Sequence, residues 1–529
     1  MDKFRVLISD PLSEQGIQQL LDAQDVIVEQ KTALSPDELL EIIEQYDALL
    51  VRSQTQVTAE VIHAAKKLKV IGRAGVGVDN IDINAATAAG IVVINAPDGN
   101  TISTAEHSFA MLMAVARNIP QAHKKLVDGA WDRKSFQGVE LHNKTLGIIG
   151  MGRIGSEVAK RAKAFQMNVI GYDPYLTDER AQKLGVTNGS VDDIVTQADF
   201  ITVHTPLMKE TKHLLNAKQF AKMKPTARVI NCARGGIIDE KALLHALDNG
   251  LIAAAALDVY EEEPPVNNPL IGHPRVVTTP HLGASTVEAQ ENVAIDVSEE
   301  LLKALRNQTF KNAVNLPTVD AHLMERVQPF FSLSEKLGQF LAQLTIGALQ
   351  EVKITYSGEL SEMSTSPLTR TILKGLLAYR LGAEVNYINA PYLAKMRDIS
   401  VTEEKSTISR GFTNLITVTL RSNLETRTIA GTRLNGFGDR IVKIDQSTID
   451  VQPQGYLLYV QHHDRPGVIG YVGSVLGQNG VNIATMQVGR KDVGGDAIMM
   501  LTVDKPLSTE LLDELGQSLE ISSVTQIEL

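Results

Sequence analysis

One short stretch, residues 146–155, constrains the fold of this chain more than any other. It reads LGIIGMGRIG, an apolar run typical of a buried parallel strand followed by a glycine turn of the pattern G-x-G-x-x-G. Residues 157–165 continue it with an amphipathic segment that predicts a helix. A strand, a glycine turn and a helix in this order predict a parallel α/β sheet with an anion site at the helix N-terminus.

The residues around this turn favour a dinucleotide as the anion. Glycines let the backbone approach a pyrophosphate closely, and the helix N-terminus offers free N–H groups with about half a positive charge. A second strand, Asn168–Tyr172, ends at Asp173, at about the spacing of 20 residues that dinucleotide folds use. A carboxylate there accepts hydrogen bonds from ribose hydroxyls and repels a 2′-phosphate. The sequence therefore predicts NAD, and not NADP, at a turn containing Gly150, Gly152 and Gly155.

Composition limits the class of protein. A chain of 529 residues exceeds one hydrophobic core, so we expect about three or four folded units. The net charge of −11 argues against nucleic acid or an anionic membrane as a partner. With one cysteine, Cys232, the sequence offers no intrachain disulfide or cysteine metal cluster, and we predict no metal site. No apolar run has the length of a signal-peptide core or a membrane span, so we expect a cytoplasmic protein.

Two α/β units follow each other along the chain. Residues 1–98 alternate short apolar strands with helical patterns, and a similar alternation with six strands surrounds the glycine turn. A predicted helix at 102–117 leads into the second unit, and another at Val287–Leu305 returns to the first. We therefore predict a flavodoxin-like domain, formed by 1–98 and 286–316, into which a Rossmann-type domain at 99–285 is inserted.

The pattern changes after residue 316. Residues 317–453 mix helical and strand-like runs, which predicts an α+β domain. From 454 to 529 the predicted order is β-α-β-β-α-β, the order of a ferredoxin-like sandwich. Pro466 and Gly480 flank its first predicted helix, where these residues commonly begin and end helices.

Three predicted strands of the 99–285 domain lead into residues suited to acid–base chemistry. The strand Arg228–Asn231 is followed by Arg234, and later strands are followed by Glu263 and His281. Open α/β sheets bind ligands at the carboxyl ends of their strands. Histidine transfers protons near neutral pH, a neighbouring carboxylate orients its ring, and a guanidinium clamps a substrate carboxylate. These three residues are therefore candidate catalytic residues for hydride transfer between an alcohol and NAD.

Each candidate also has a purely structural interpretation. His281 is equally suited to bridge loops, and Arg234 to form a salt bridge between domains. Glu263 is one of three consecutive acids, which are commonly solvated. Spacing alone leaves both interpretations open.

Seven segments together resemble the D-isomer-specific 2-hydroxyacid dehydrogenase family. They are RAGVGVDN (73–80), GMGRIG (150–155), YDP (172–174), HTPL (204–207), NCARGGIID (231–239), LDVYEEEPP (257–265) and HLGAST (281–286). The resemblance covers essentially the whole chain. It implies that Arg234 binds the substrate carboxylate and carbonyl, that Glu263 tunes His281, and that His281 donates the proton in reduction.

The same resemblance implies a wider set of ligand contacts. Besides the three glycines, the implied cofactor contacts are Val76, Arg153, Ile154, Asp173, Thr205, Cys232, Ala233, Arg234, Asp258, His281, Leu282, Gly283 and Ala284. The implied substrate contacts are Arg52, Arg73, Gly75 and Arg133. Arg73 is the strongest of these because it directly precedes a loop whose N–H groups suit a carboxylate. For Cys232 we expect a packed side chain and no thiol chemistry, because the chain contains no resolving cysteine.

The last two predicted domains resemble parts of long family members. Residues 317–453 resemble their intervening domain, which is proposed to bind an anion or substrate allosterically, and 459–490 resemble an ACT domain, an amino-acid sensor. This long form implies oxidation of D-3-phosphoglycerate to 3-phosphohydroxypyruvate, the first step of the phosphorylated route to L-serine. It also implies a homotetramer with L-serine as a possible effector, bound by His462, Asp464 and Asn482 across two chains.

Alternatives to this function remain open. Asp464 also suits the cap of the helix near Pro466. One rival function is a sister enzyme acting on glyoxylate, hydroxypyruvate or 2-hydroxyglutarate. A second is a non-catalytic sensor built on a dehydrogenase fold, against which the three intact catalytic residue types argue.

Overall fold

The computed structural model describes residues 3–317, 321–409, 411–490 and 492–529. Met1 and Asp2, which begin the predicted first domain, and 318–320, 410 and 491 in the later predicted domains, lie outside this description. The described residues form four β-sheets, and each sheet organises one part of the chain.

The first sheet has five parallel strands in the order β2-β1-β3-β4-β5. They are β1 (Phe4–Ile8), β2 (Val26–Gln30), β3 (Ala48–Val51), β4 (Val70–Arg73) and β5 (Val92–Asn95). The helices are α1 (Glu14–Asp22), α2 (Pro36–Ile42), α3 (Ala59–Ala64) and α4 (Ile83–Ala88), with a 3-10 turn at Ile43–Gln45. All of β3 is buried, as expected for a strand covered on both faces. This strand order is that of flavodoxin, so the predicted fold is confirmed.

The second sheet has seven parallel strands in the order β12-β11-β10-β9-β6-β7-β8. They are β6 (Thr145–Ile149), β7 (Asn168–Tyr172), β8 (Thr187–Asn188), β9 (Phe200–Val203), β10 (Arg228–Asn231), β11 (Ala254–Leu257) and β12 (Val276–Thr278). Its helices are α5 (Thr101–Arg117), α6 (Ile119–Val127), α7 (Arg153–Ala164), α8 (Asp178–Leu184), α9 (Val191–Gln197), α10 (Ala217–Phe220) and α11 (Glu240–Asp248). The doubly wound order confirms the Rossmann-type prediction, and its direction reverses between β6 and β9.

Two long helices connect the first two sheets. α5 packs against β10 and β11 of the second sheet, whereas α12 (Val287–Leu305) packs against α1 and β4 of the first. This is the predicted insertion of one α/β fold into another, and the boundaries at 98 and 285 remain a proposal. α5 ends as predicted where Asn118 adopts a left-handed conformation, with φ at 52°.

The third sheet is mixed and has the order β14-β13-β15-β16-β17-β18, with only β13 and β14 parallel. Its strands are β13 (Leu349–Gly358), β14 (Ser400–Ser406), β15 (Asn414–Ser422), β16 (Thr426–Leu434), β17 (Gly438–Ile444) and β18 (Ser447–Val451). The helices are α13 (Ala321–Val327), α14 (Phe331–Leu344), α15 (Ser366–Leu381) and α16 (Ala390–Met396), with 3-10 turns at Gln328–Phe330 and Glu359–Glu362. α14 and α15 cross closely at Gly338, where a side chain would not fit: a Cβ on this residue would stand 2.2 Å from Ile372 O.

The fourth sheet is antiparallel, with the order β20-β21-β19-β22. Its elements are β19 (Tyr456–His463), α17 (Val468–Gln478), β20 (Ile483–Arg490), β21 (Asp496–Val503), α18 (Thr509–Leu515) and β22 (Ile521–Glu528). The predicted ferredoxin-like sandwich is therefore confirmed. One face of the sheet packs on α17 and α18, and the other shares a hydrophobic core with α14.

Candidate active site

A cleft of about 1010 Å³ opens between the first two domains. It is bounded by loops that follow β3 and β4 on one side, and by loops that follow β10, β11 and β12 on the other. It brings together eight of the predicted site residues, namely Arg52, Arg73, Gly75, Val76, Arg234, Glu263, His281 and Ala284. Arg133 is exposed and does not line this cleft, so its part in substrate binding stays a prediction.

His281 and Glu263 form a close pair at the cleft. Nδ1 of His281 lies 2.7 Å from Oε2 of Glu263, and the other carboxylate oxygen accepts a hydrogen bond of 3.1 Å from the N–H of Tyr260. Burial alone would raise the pKa of Glu263, but these hydrogen bonds outweigh it and the pKa lies below its ordinary value. Glu263 is therefore ionised at neutral pH and accepts a hydrogen bond from the Nδ1–H of His281.

Arg234 follows β10 and reaches across the cleft. Its Nε donates to Oδ2 of Asp79 in the first domain at 3.1 Å. The side chain of Asn231 braces this turn, accepting from the N–H of Ala233 at 3.0 Å and donating to Arg234 O at 2.9 Å. Gly235 is required beside it, because a Cβ would stand 1.7 Å from Tyr260 O. The interdomain salt bridge considered from the sequence is thus present, at a place where Arg234 also borders the cleft.

Arg73 is the most unusual charge of the cleft. Burial, together with the nearby charge of Arg234, lowers the pKa of Arg73 to about 10. Among the described residues its buried Nε has no hydrogen-bond partner. The guanidinium lies over Gly75, where a Cβ would stand 1.6 Å from Nη1. An incompletely satisfied guanidinium in such a place favours an anionic ligand.

The glycine turn before α7 has the shape that a dinucleotide needs. Gly150 has a φ of +99°, and a Cβ there would stand 2.5 Å from His204 O. A Cβ on Gly155 would stand 2.0 Å from Gly150 O, so the helix approaches the strand closely. Gly152 faces open space and has no side-chain cap as the N-cap of α7. These are the three roles of the glycines in a dinucleotide turn.

Other predicted cofactor residues surround this turn. Asp173 accepts from the N–H of Met151 at 3.0 Å, which ties its carboxylate to the turn. Arg153 forms a salt bridge with Asp98, in the segment between β5 and α5. Thr205 has a buried hydroxyl without a partner among the described residues, which leaves a polar group for a ligand. The glycine turn, Asp173 and Thr205 thus provide the groups that an NAD site requires.

Comparison with known proteins gives the same assignment. The family model described as "D-isomer specific 2-hydroxyacid dehydrogenase, NAD binding domain" matches residues 109–283. Models for the "D-3-phosphoglycerate dehydrogenase intervening domain" and the "ACT domain" match 326–445 and 456–520. The D-3-phosphoglycerate dehydrogenase of Bacillus subtilis is 49% identical over 527 residues, which cover 99% of this chain and 100% of that protein. This chain belongs to the D-isomer-specific 2-hydroxyacid dehydrogenase family.

Further relatives agree with this assignment. The D-3-phosphoglycerate dehydrogenase of Methanocaldococcus jannaschii is 47% identical over 526 residues, covering 99% of this chain and 100% of that protein. The crystal structure of a glyoxylate reductase from Paecilomyes thermophila is similar with a TM-score of 0.55 and 32% identity, covering 59% of this chain and 99% of that chain. The protein is thus an NAD-dependent oxidoreductase. In the described part of the chain, every helix is too short or too polar to cross a membrane.

The remaining cofactor candidates lie at the carboxyl edge of the second sheet. Cys232 is buried, and burial raises the pKa of its thiol, in keeping with the packed side chain we expected. Asp258 is fully buried and accepts from the N–H groups of Leu282 and Gly283 at 2.8 and 2.9 Å. The other candidates at this edge are Ile154, Ala233 and Leu282.

The three residues predicted to bind serine do not meet within one chain. β19 and β20 run in the same direction on either side of β21, so Asp464 and Asn482 stand at opposite ends of the sheet. Asp464 accepts from Nη1 of Arg490 at 2.9 Å, and Asn482 donates to Asp504 at 2.8 Å. His462 is buried. A serine site shared by two chains stays a prediction.

The capping interpretation of Asp464 is wrong. The N-cap of α17 is Gly467, which makes no side-chain cap hydrogen bond. The carboxylate of Asp464 instead accepts from the N–H of Gly494 at 3.2 Å as well as from Arg490. Its pKa lies below the ordinary value because of these two hydrogen bonds.

Sequence reasoning missed several residues that shape the site. Asp79 pairs with Arg234 from the other side of the cleft, Asp98 pairs with Arg153, and His107 lies beside Asp258. Asp79 lies within the segment 73–80 that carried the family resemblance, so a signal existed for it. His107 occupies the middle of a predicted helix, where no local pattern marks a functional side chain.

Proposed function

We propose that this enzyme oxidises D-3-phosphoglycerate to 3-phosphohydroxypyruvate with NAD, as the first step of the phosphorylated route to L-serine. The observation that carries the proposal is the incompletely paired guanidinium of Arg73, which stands in a cleft with Arg234 and Arg52. A substrate with a carboxylate and a phosphate needs two sets of cationic contacts. Relatives of nearly full length that are named for this reaction support it.

The proposed roles follow from the geometry of the cleft. Arg234 binds the substrate carboxylate and polarises the carbonyl oxygen, while Arg73 and Arg52 hold the phosphate. Glu263 fixes the Nδ1–H of His281, so Nε2 is the nitrogen that takes the hydroxyl proton during oxidation. The ionised carboxylate then stabilises the imidazolium that forms. NAD, when bound, accepts the hydride.

Regulation and assembly form a second part of the proposal. We infer that the chain forms a cytoplasmic homotetramer in which L-serine binds between two ACT domains. His462 and Asp464 of one chain and Asn482 of another would supply the contacts. The opposite positions of Asp464 and Asn482 on one sheet support a shared site, since a single chain cannot close both around one amino acid.

The test is NADH formation from NAD with D-3-phosphoglycerate and, separately, with unphosphorylated D-glycerate. We expect a strong preference for the phosphorylated acid, and a lower rate when L-serine is added. Equal use of both acids would contradict the substrate assignment while leaving the dehydrogenase chemistry in place. A rate that L-serine does not change would contradict the regulatory part alone.

A sister reaction is the second candidate. The structural similarity to a glyoxylate reductase favours it, because a protein with a similar fold is named for a reaction on a smaller 2-oxo acid. NADH oxidation with glyoxylate or hydroxypyruvate, compared with 3-phosphohydroxypyruvate, separates the two candidates. A higher kcat/KM for an unphosphorylated acid would favour the sister reaction.

A further inference from the structure

The turn that carries His281 is held by one aspartate. The N–H of His281 donates to the main-chain oxygen of Asp258 at 2.9 Å. The next two N–H groups, of Leu282 and Gly283, donate to its carboxylate at 2.8 and 2.9 Å. His281 itself has a φ of 54°, a left-handed conformation that costs energy for a residue with a side chain. Asp258 therefore maintains a backbone conformation that the chain would otherwise leave.

The side chain of His107 contacts the carboxylate of Asp258. It projects from α5, and its Nε2 lies 3.1 Å from Oδ1 of Asp258 and 3.3 Å from Oγ1 of Thr279. Burial opposes ionisation of Asp258, but hydrogen bonds from His107 and Thr279 outweigh it, so the pKa of Asp258 lies below its ordinary value. Because an ionised carboxylate only accepts, Nε2 of His107 must donate to it.

A second contact ties the same helix to the same turn. Oγ1 of Thr104 donates to Gly283 O at 3.2 Å. Thr104 and His107 lie one helical turn apart on α5, so they present adjacent contacts on a single face. The helix thus holds both the main chain of the turn and the carboxylate that supports it.

We propose that His107 is a positioning residue for the dehydrogenase reaction, acting through Asp258 on the placement of His281. The inference rests on the proposed role of His281 as the proton-transfer residue. The chain of contacts runs from His107 to Asp258, then to the turn, and ends where Nδ1 of His281 meets Glu263 at 2.7 Å. A displacement of about 1 Å in such a site is enough to lower a rate by about 100-fold.

Two substitutions at one position test the proposal. His107→Leu removes the donor, whereas His107→Gln places an amide N–H where Nε2 stands and restores it. We expect kcat to fall about 10- to 100-fold in the leucine variant, and to stay within about 3-fold of the wild type in the glutamine variant. The KM values for NAD and substrate should change little in both.

A matched control separates positioning from loss of stability. Leu112 lies on the same helix, is buried, and belongs to the core of the second domain. Leu112→Ala is expected to destabilise the fold with kcat unchanged. Rates are compared at equal folded fraction, measured by circular dichroism on the full-length protein.

The dependence of kcat on pH provides a further test, because a loss of stability alone would not change it. If the turn shifts, His281 loses its contact with the charged carboxylate of Glu263, and Glu263→Gln removes the same charge. The acidic limb of the kcat profile should therefore move in the same direction in His107→Leu as in Glu263→Gln. It should stay in place in Leu112→Ala and His107→Gln.

Several outcomes would overturn the proposal. They are a His107→Leu rate equal to that of Leu112→Ala, a glutamine variant as slow as the leucine variant, an unmoved acidic limb, or a loss confined to the KM for NAD. Failure of the substrate assignment looks different, because the wild type itself would then fail to oxidise D-3-phosphoglycerate. The comparison of variants is then made with the 2-hydroxy acid that the wild type does oxidise.

Discussion

The cleft between the first two domains and the junction between the last two are held together by different forces. Across the cleft, Arg234 pairs with Asp79, and Arg153 of α7 pairs with Asp98 in the segment between β5 and α5; all four groups are at least partly exposed. Exposed ion pairs contribute only about 0–1 kcal/mol each. Such contacts can be exchanged for an anionic ligand at little cost, which suits a cleft that opens and closes.

At the junction, apolar side chains from two domains form one core. Leu457 and Tyr459 of β19 are buried with Phe340 of α14, and Gln343 exchanges two hydrogen bonds with the main chain of Glu528. Each fully buried large side chain contributes about 1.5–3 kcal/mol. From this difference in contacts we expect the first two domains to move relative to each other, and the last two to move as one body.

His281→Ala is expected to have the largest effect, and to act on the cleft alone. We expect kcat to fall by about 10²- to 10⁴-fold, because the proton-transfer group is lost. Urea unfolding followed by circular dichroism should show the junction unchanged. A folded variant with a normal rate would remove His281 from the mechanism.

Leu457→Ala breaks the junction. Loss of a fully buried leucine costs about 2–5 kcal/mol, and we expect the unfolding of the last two domains to separate into two transitions. The matched control is Leu501→Ala, whose side chain packs on the opposite face of the ACT sheet. That variant should destabilise the ACT domain without releasing it from α14, and identical unfolding curves for the two variants would contradict the shared core.

Arg73→Met separates ligand binding from folding in the cleft. Hydrogen bonds to charged groups contribute about 1.5–3 kcal/mol, so the KM for D-3-phosphoglycerate should rise about 10- to 100-fold. The free energy of unfolding should not fall, since the substitution removes a partly buried cation whose buried Nε lacks a partner among the described residues. A marked loss of stability together with an unchanged KM would make Arg73 a structural residue.

Glu263→Gln tests the charge of the catalytic pair through pH. The pKa of Glu263 is depressed in the folded protein, so its stabilising contribution is fully present above the ordinary glutamate pKa of about 4.3. It is lost as the pH falls through the depressed value. The urea midpoint of the wild type should therefore exceed that of the variant at neutral pH and approach it in acid. A constant difference across this pH range would contradict the prediction.

Asp79→Asn has the smallest expected effect. It removes the ion pair with Arg234 across the cleft, and the free energy of unfolding should change by less than about 1 kcal/mol. Because the substrate carboxylate would no longer compete with Asp79 for Arg234, the KM should fall or stay constant. A large loss of stability would show that contacts across the cleft stabilise the fold as strongly as those at the junction, contrary to our inference.

Buried elements of the fold follow from local sequence. The bounds of β7 and β10, two strands inside the second sheet, agree with the prediction, because each has an apolar centre covered on both faces. Two edge strands, β2 and β14, were not predicted, and β14 is almost entirely exposed. Their strand conformation comes from pairing with β1 and β13, which no local pattern records. The helix α6 was not predicted either, and Pro120 stands in its first turn, where proline is tolerated.

The sequence by itself determined which residues are available for chemistry. Arg234, Glu263 and His281 were identifiable because each follows a parallel strand, and strands of one sheet end at a common edge. Glycine spacing likewise marked the NAD turn, since backbone conformation is a local property.

Only the tertiary structure decided how those residues are held. The pairing of Arg234 with Asp79, the unsatisfied Nε of Arg73 and the support of Asp258 by His107 all join groups far apart in sequence. Hydrogen bonds and charge interactions depend on distances of a few ångströms in space. Such distances are set by how two sheets and a helix meet, and spacing along the chain does not encode them.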